Sequence, residues 1–204
     1  MQEINFLTSI HKKTKRDYLA RVSPERPEWA RTMKRWDGEY WDGDRKNGYG
    51  GHYYDGRWRS VAEEMAEHYN LKAGDHILDV GCGKGFLLYE FTQIIPGIKI
   101  AGIDISEYAI ENSKDEVKSF LQTGNCTKLP WSDDHFDYVY SLNVLHNLEN
   151  FDLMSSLKEM ERVGKNNKYN CIESWRSEEE KANMLYWAVP CETFFSVEAW
   201  RWYY

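Results

Sequence analysis

Cysteine is scarce in this sequence, and its spacing does not suit a metal site. The chain of 204 residues has four cysteines, which form no Cys-x-x-Cys pair and no cluster with histidines. They are Cys82, Cys126, Cys171 and Cys191. Structural zinc sites are built from such pairs, so we expect no metal. The pattern is typical of reduced thiols in a cytoplasmic protein, and we expect that location.

Long apolar runs and an excess of positive charge are also missing. No stretch approaches the roughly 18 apolar residues of a membrane-spanning helix, and the N-terminus lacks the apolar core of a signal peptide. Lysine and arginine number 26 against 33 acidic residues, which gives a formal net charge of −7. Nucleic-acid binding needs a basic stripe. We therefore expect neither a membrane nor a nucleic acid as partner.

The most informative stretch that is present runs from His76 to Phe91, HILDVGCGKGFLLYEF. A short apolar run predicts a buried strand, three glycines follow within five residues, and apolar side chains then recur at helical spacing. The glycines are Gly81, Gly83 and Gly85. Strand, glycine turn and helix form the nucleotide-binding unit of doubly wound α/β folds. The dinucleotide fingerprint would place its third glycine where Phe86 stands, which disfavours a nicotinamide-dependent dehydrogenase.

Two acidic residues accompany this loop. Asp79 precedes the glycines, and Asp104 ends a second apolar stretch at 98–106, about 20 residues further on, where a carboxylate holds ribose hydroxyls. This Asp-Val-Gly-Cys-Gly-x-Gly arrangement resembles the first motif of class I S-adenosylmethionine-dependent methyltransferases. Residues 124–131 and 136–148 are similar to the adenine loop and the fourth strand of that family.

The resemblance spans residues 75–175 and implies a doubly wound, mostly parallel α/β sheet of the Rossmann-like methyltransferase type. It also implies S-adenosylmethionine as cofactor and S-adenosylhomocysteine as product. Asp79 and the 81–85 loop would hold the methionyl end, Asp104 the ribose, and Asn125 with Cys126 the adenine edge. The cofactor-binding residues so implied are Asp79, Gly81, Cys82, Gly83, Gly85, Asp104, Ile105, Asn125, Cys126 and Leu142.

Residues 36–58 have an unusual composition, with seven aromatic residues and six glycines in 23 positions. Such a segment is poor in helix formers and too aromatic for a flexible linker. We predict a structured lid over the ligand, with Tyr49, His52 and Arg57 as contacts to substrate or to the methionyl carboxylate. The alternative is a packed connector. We expect residues 1–58 to form N-terminal helices and this lid, and 59–204 the cofactor-binding domain.

Two residues are candidates for catalysis. His146 follows the fourth predicted strand, where the ligand crevice of a doubly wound sheet lies, and an imidazole there can accept a proton from an acceptor hydroxyl or amine. Glu173 lies in the predicted fifth strand, 169–175, and either faces the crevice or pairs with Arg176. A structural role is the alternative for both residues.

The other segments complete the outline. Residues 3–22 predict one helix, whose basic run at 11–16 is either a solvated surface or a rim that steers an anionic substrate. A second helix should follow Ser23 and Pro24, with Trp29 and Met33 on its buried side. Further helices are predicted over 59–71, 106–120, 150–163 and on both sides of Pro190, and a short strand over 120–124.

No sequence remains after these elements for the antiparallel hairpin that ends the sheet in this family. Either the protein is shorter than its relatives or the sequence is a piece of a longer protein. The open edge of the fifth strand favours association, so we expect a homodimer.

These residues predict methyl transfer to an O or N atom of a small molecule. The chain resembles small bacterial methyltransferases encoded among genes for surface polysaccharides or specialised metabolites, which implies a sugar or a phosphorylated precursor as acceptor. A protein methyltransferase and a non-catalytic subunit that binds the cofactor are the alternatives.

Overall fold

A five-stranded parallel sheet forms the centre of the protein. The computed structural model describes residues 2–11 and 17–204, so most of the basic run at 11–16 lies outside the described residues. The strands, in chain order, are β1 His76–Val80, β2 Lys99–Asp104, β3 Leu121–Thr123, β4 Phe136–Leu142 and β5 Gly164–Cys171. Their order in the sheet is β3-β2-β1-β4-β5, and every neighbouring pair is parallel. The doubly wound α/β prediction is confirmed.

Ten α-helices occur in the described part of the chain. They are α1 Thr8–His11, α2 Arg26–Met33, α3 Gly38–Asp42, α4 Arg59–Tyr69, α5 Phe86–Ile94, α6 Glu107–Glu111, α7 Asp115–Lys118, α8 Asn150–Val163, α9 Glu178–Trp187 and α10 Val197–Tyr203. Short 3-10 turns lie at Leu19–Arg21, Arg45–Asn47 and Leu145–Asn147. The predicted second helix is α2, and it buries Trp29 and Met33 as expected.

Both faces of the sheet are covered, as parallel sheets require. On one face, Ile77 of β1 packs in a cluster with α4, α5 and two residues of the N-terminal segment, Phe6 and Leu7. On the other face, Leu78 lies in a second cluster with α8 and with Trp200 of α10. Successive strand residues therefore enter opposite layers of the core, and the N-terminal segment belongs to one of these layers. The division of the chain at residue 58 stays a prediction.

The single helix predicted over 3–22 is wrong for the described residues. Only α1 and the turn Leu19–Arg21 are helical there. The Asn5 side chain accepts a hydrogen bond from the Leu7 backbone N–H at 2.9 Å, which starts a turn in place of a helix. Phe6 and Leu7 then enter the core from this turn, so their apolar character reflects tertiary burial and not a helical face.

The helix predicted over 106–120 is divided into α6 and α7. Ser106 caps α6 as expected, by accepting a hydrogen bond from the Ala109 N–H. The break follows because Asn112 Nδ2 donates to the Tyr108 carbonyl and Ser113 Oγ to the Ile110 carbonyl. These side chains compete with the backbone for helix carbonyls.

The fifth strand lies at Gly164–Cys171 and not at 169–175. Helix α8 ends at Val163, and the strand begins at the next residue. A Cβ atom on Gly164 would come 2.9 Å from Val139 Cγ2, so glycine allows the close approach that starts the β4–β5 pairing. Glu173 consequently lies beyond the strand. The chain after β5 forms α9 and α10 on the two sides of Pro190, as predicted.

Candidate active site

The turn between β1 and α5 is built from the three glycines. Gly81, Gly83 and Gly85 have φ values of +84°, +52° and +74°, a left-handed backbone that other residues rarely adopt. The backbone N–H groups of Gly81 and Cys82 both donate to the Ile103 carbonyl, at 2.7 and 3.1 Å. This fastens the turn to the end of β2. The predicted strand, turn and helix are all present.

Asp104 lies against this turn at the end of β2. Its two carboxylate oxygens accept hydrogen bonds from the N–H groups of Gly83 and Ser106, each at 2.8 Å. Burial raises the pKa of Asp104, and these two hydrogen bonds oppose the rise. Each oxygen keeps a further lone pair. The carboxylate is therefore fixed in orientation and still able to accept hydrogen bonds from two hydroxyls.

Asp79 is a second buried carboxyl close to Asp104. Burial raises the pKa of Asp79 to about 8; Tyr140 lowers it and the charge of Asp104 raises it. The Tyr140 hydroxyl is buried and makes no hydrogen bond of good geometry within the described residues. No ion pair of Asp79 or Asp104 occurs in the described part of the chain either. This uncompensated acidic pair fits a ligand that carries positive charge, and S-adenosylmethionine carries a sulfonium and an ammonium.

The remaining cofactor candidates lie at the carboxyl ends of β2, β3 and β4. Ile105 follows Asp104 with 54% of its side chain exposed. Asn125 Oδ1 accepts a hydrogen bond from the Thr127 N–H at 2.9 Å, and Cys126 is half-buried beside Ser156. Leu142 is the last residue of β4. The topology therefore brings the predicted cofactor residues to one end of the sheet.

The aromatic lid, residues 36–58, packs on the glycine turn. The indole ring of Trp41 covers Gly83 so closely that a Cβ atom there would lie 2.7 Å from it. Trp41 Nε1 donates to Ser106 Oγ at 2.8 Å. Tyr49 stacks on Trp41 at 5.3 Å, with 13° between the ring planes. Two of the predicted lid contacts, Tyr49 and His52, thus lie next to each other, with ring centroids 4.4 Å apart.

His52 joins the lid to the first turn of α5. Its ring stacks on Phe86 at 5.1 Å. Burial, and then the positive charges of Lys84 and Arg57, lower the pKa of His52 to about 4, so the ring is neutral at physiological pH. Arg57 is different: its guanidinium pairs with the Asp55 carboxylate. The charge of Arg57 is already balanced within the lid, and the structure does not place it in the aromatic stack.

His146 is buried in the turn after β4, and its ring holds the backbone of Glu173. Its Nδ1 atom accepts a hydrogen bond from the Glu173 N–H at 3.1 Å. Burial lowers the pKa of His146 to about 4, so the ring is neutral and its proton lies on Nε2. The His146 carbonyl also accepts from the N–H groups of Glu192 and Thr193. This geometry suits positioning by His146 more than proton abstraction, and the base role stays a prediction.

Glu173 lies two residues beyond β5 and is half-buried. Its N–H is held by His146, and its carbonyl accepts a hydrogen bond from Trp200 Nε1 at 3.2 Å. Desolvation raises the pKa of the Tyr49 phenol, and the charges of Asp104 and Glu173 raise it further. Tyr49 thus lies within electrostatic reach of both carboxylates. The Arg176 guanidinium binds Glu3, and the pairing of Glu173 with Arg176 stays a prediction.

Three residues that the sequence reasoning missed organise this site. They are Trp41, Asp42 and Lys84. Lys84 lies within the glycine motif, and Asp42 lies next to an aromatic residue of the lid. Both segments stand out in the sequence by their composition. Their pairing was not foreseeable because it joins segments that are far apart in the chain.

Neither a membrane-spanning helix nor a metal-binding cluster occurs among the described residues. Within residues 2–11 and 17–204, no helix is long and apolar enough to cross a bilayer. Within the same ranges, no three His, Cys, Asp or Glu side chains are grouped so that they could hold a metal ion.

The methyltransferase features agree with comparisons to known proteins. Residues 71–200 match a family model described as a methyltransferase domain. The chain therefore belongs to this family, the class I S-adenosylmethionine-dependent methyltransferases.

Named relatives lie in the same family. A demethylmenaquinone methyltransferase of Symbiobacterium thermophilum is 31% identical over 160 residues, which are 72% of this chain and 63% of the relative. The O-methyltransferase resE of Aspergillus sclerotiorum is 31% identical over 110 residues, which are 50% of this chain and 40% of the relative. The chain thus spans less than two thirds of the length of these relatives.

Solved structures support the fold. The YcgJ protein of Bacillus subtilis has a TM-score of 0.57 at 18% identity, covering 70% of this chain and 64% of its own. A putative methyltransferase of Haloferax volcanii, solved with the Trm112 methyltransferase activator, also has a TM-score of 0.57, at 22% identity, covering 73% of this chain and 70% of its own. At such identities the likeness shows the fold alone.

Proposed function

We propose that this protein transfers a methyl group from S-adenosylmethionine to an O or N atom of a small molecule. The observation that carries the proposal is the pair of buried carboxyls, Asp79 and Asp104, next to a turn of three left-handed glycines. The cofactor supplies a methyl group already activated on a sulfonium. The protein has to hold the acceptor in line with that methyl, exclude water and manage one proton.

Different residues at the carboxyl end of the sheet would bind different parts of the cofactor. Asp79 and the 81–85 turn would bind the methionyl end, since they offer negative charge and a backbone without side chains. Asp104 would accept hydrogen bonds from the ribose hydroxyls. Asn125 and Cys126 would border the adenine, with Ile105 and Leu142 as apolar contacts. These roles follow the family resemblance and are compatible with the burial and hydrogen bonds described above.

We infer that the acceptor is an aromatic ring, such as a quinol or phenol. The lid offers the adjacent rings of Tyr49 and His52, and several relatives are named demethylmenaquinone methyltransferase. A phosphorylated sugar would need a free cation near these rings. Lys84 is paired with Asp42, Arg57 with Asp55, and Arg45 binds the Gly48 carbonyl. The charges of Lys84 and Arg57 are thus already balanced by carboxylates.

Glu173 would either accept the proton of the acceptor or orient the hydroxyl or amine that carries it. Its backbone is held at both ends, by His146 and Trp200, and its charge acts on Tyr49. A carboxylate carried on a backbone held in this way can accept a hydrogen bond from a hydroxyl or an amine. His146 would hold Glu173 in place. A homodimer and a cytoplasmic location remain predictions.

Calorimetric titration with S-adenosylmethionine and S-adenosylhomocysteine tests the cofactor assignment. We expect binding by the wild-type chain and a loss of affinity of about tenfold or more in Asp104→Ala, because hydrogen bonds to a charged group contribute about 1.5–3 kcal/mol. Asp137→Asn, at the opposite end of the sheet, is the matched control and should bind as the wild type does. Failure of the wild-type chain to bind either compound would contradict the proposal.

Turnover assays then test the acceptor class and the catalytic residues. We expect methylation of a dihydroxynaphthoate or a catechol, and no methylation of glucose 1-phosphate or a peptide. Glu173→Gln should lower kcat with little change in cofactor affinity. His146→Ala should also lower kcat, but the pH profile should keep its shape if His146 only positions Glu173. Methylation of the sugar or the peptide alone would refute the aromatic acceptor, and binding without any turnover would indicate a non-catalytic subunit.

A further inference from the structure

An ion pair between a buried lysine and a half-buried aspartate connects the aromatic lid to the glycine turn. Lys84, between Gly83 and Gly85, donates from Nζ to both carboxylate oxygens of Asp42, at 2.7 and 2.9 Å. Asp42 is the last residue of α3, inside the lid. The Lys84 side chain is only 5% exposed and that of Asp42 is 21% exposed. The lysine of the cofactor motif is thus turned away from solvent and toward the lid.

The Asp42 carboxylate also joins two further parts of the protein. Tyr108 of α6 donates its hydroxyl to Asp42 Oδ2 at 2.8 Å, and the His52 N–H donates to Oδ1 at 3.1 Å. Lys84 Nζ in turn donates to the His52 carbonyl at 3.1 Å. The Asp42 carboxylate therefore connects two positions of the lid, 42 and 52, with the glycine turn and with α6.

Desolvation of the charges in such an ion pair costs free energy, and the benefit of the pair is then that it fixes one conformation. Two charges lose hydration when they are buried, and a buried pair often adds little net stability, whereas removal of one partner leaves an unpaired charge. The pair has a direct consequence for the site because Trp41, the neighbour of Asp42, covers Gly83. Where Asp42 is held, the Trp41 ring is held over the turn.

We propose that the Asp42–Lys84 ion pair is the clamp that fixes the aromatic lid on the cofactor turn, with both residues acting as positioning residues through Trp41 and His52. The proposal rests on the proposed function, since it takes the glycine turn as the cofactor site. The cofactor must displace the lid to reach Gly83, and the clamp then slows the departure of the bound cofactor. Lys84 thereby sets the residence time without touching the acceptor.

Limited trypsin digestion of the protein without ligand tests the clamp directly. The lid contains three cleavage sites, at Arg45, Lys46 and Arg57, which closure should protect. We expect Asp42→Asn to be cleaved in the lid about tenfold faster or more, because cleavage follows the population of the open form. The matched control is Asp44→Asn, which breaks a half-exposed pair with Lys46 in the same segment and keeps a good N-cap residue. It should be cleaved at the wild-type rate.

A second arm measures the release of labelled S-adenosylhomocysteine by displacement with unlabelled compound. We expect the dissociation rate of Asp42→Asn to rise about tenfold or more, since opening of the lid would limit the release of the ligand. Asp44→Asn should release the ligand as the wild type does. Lys84→Met should behave as Asp42→Asn does, and it avoids a buried unpaired amine if Asp42→Asn does not fold.

The two arms separate this proposal from the proposed function. If the wild-type chain binds no S-adenosylhomocysteine, the cofactor assignment fails, and the digestion still decides whether the lid is clamped. If folded Asp42→Asn and Lys84→Met are both cleaved at the wild-type rate, the clamp is refuted. If cleavage accelerates while ligand release stays at the wild-type rate, the lid is clamped but the role in cofactor retention is refuted.

Discussion

At the scale of single residues, the two site carboxyls differ in how far their surroundings stabilise the ionised form. Asp104 receives two backbone hydrogen bonds, which support its ionised form although it is buried. Asp79 lacks such support, and its pKa is raised to about 8. At neutral pH a large fraction of Asp79 therefore carries a proton in the absence of ligand. A cationic ligand would favour the ionised form, so binding and proton release are linked.

This difference predicts how stability changes with pH. Asp79 ionises near pH 4 in the unfolded chain and near pH 8 in the folded protein, so the folded state binds more protons between these values and loses stability as the pH rises through them. Asp79→Asn removes this loss. We expect the Tm of Asp79→Asn, relative to the wild type, to increase steadily from about pH 5 to about pH 8.

Thermal melts of both proteins across that range provide the measurement. Asp137→Asn, whose carboxyl has a lowered pKa opposed only in part by burial, is the control and should not gain stability with rising pH. A Tm difference between Asp79→Asn and the wild type that stays constant with pH would contradict the raised pKa of Asp79.

At the scale of elements, the lid and the glycine turn are in close contact at Gly83. Gly83 and Gly74 both have a positive φ, +52° and +92°, but their surroundings differ. A Cβ atom on Gly83 meets the Trp41 ring at 2.7 Å, whereas one on Gly74 has no heavy-atom neighbour within 4 Å. Comparison of the two positions separates backbone strain from displacement of the lid.

We predict that Gly83→Ala and Gly74→Ala each lower stability by about 1–2 kcal/mol through backbone strain, while only Gly83→Ala displaces Trp41. Denaturant unfolding gives the stabilities, and calorimetry gives the affinity for S-adenosylhomocysteine. Gly83→Ala should bind at least about tenfold more weakly, which corresponds to about 1.4 kcal/mol. Equal affinities of the two variants would show that the contact between Trp41 and Gly83 has no part in binding.

The elements that were predicted correctly are those whose signal is local. The strand, the glycine turn and α5 follow from an apolar run, three glycines and a helical repeat that are adjacent in the chain. The position of β5 was missed because its first half, Gly-Lys-Asn-Asn-Lys, is polar and reads as a turn. Lys165, Asn166 and Asn167 are exposed at the edge of the sheet, where burial no longer selects apolar residues.

In the candidate site, too, the residues with a local signal in the sequence were the ones that could be predicted. The positions of Asp79 and Asp104 follow from the motif and its spacing. The ties of Asp42 to Lys84 and of His146 to Glu173 depend on tertiary contacts between distant segments, and no local pattern encodes them. The lid was predicted from its composition and stays a prediction, whereas the contact of Asp42 with Lys84 was not predicted.

At the scale of the whole molecule, the N-terminal segment is part of the main core although it lies outside the matched methyltransferase domain at residues 71–200. Phe6 is 5% exposed and contacts the rings of His68, Tyr69 and Tyr169. Tyr169 also donates its hydroxyl to the Ile4 carbonyl at 3.3 Å. The segment therefore connects α4 with the edge strand β5.

We predict that Phe6→Ala lowers the free energy of unfolding of the whole chain by about 3–5 kcal/mol, the usual effect of removing a buried aromatic side chain. Leu19→Ala, at a position 72% exposed, should change it by less than about 0.5 kcal/mol. Denaturant unfolding followed by circular dichroism measures both. A separate early transition in Phe6→Ala, with the main transition unchanged, would instead support a division of the chain at residue 58.

The direct passage from α8 into β5 limits how the length of this chain can vary. No connecting residue separates Val163 from Gly164, so an insertion there has no loop to absorb it. An extra residue beyond the β-bulge that follows Gly164 would shift the rest of β5 along β4 by one position and turn Tyr169 from the core toward the opposite face. Relatives that differ in length should therefore carry their insertions and deletions in exposed connections such as residues 132–135, and the α8–β5 junction should keep a constant length.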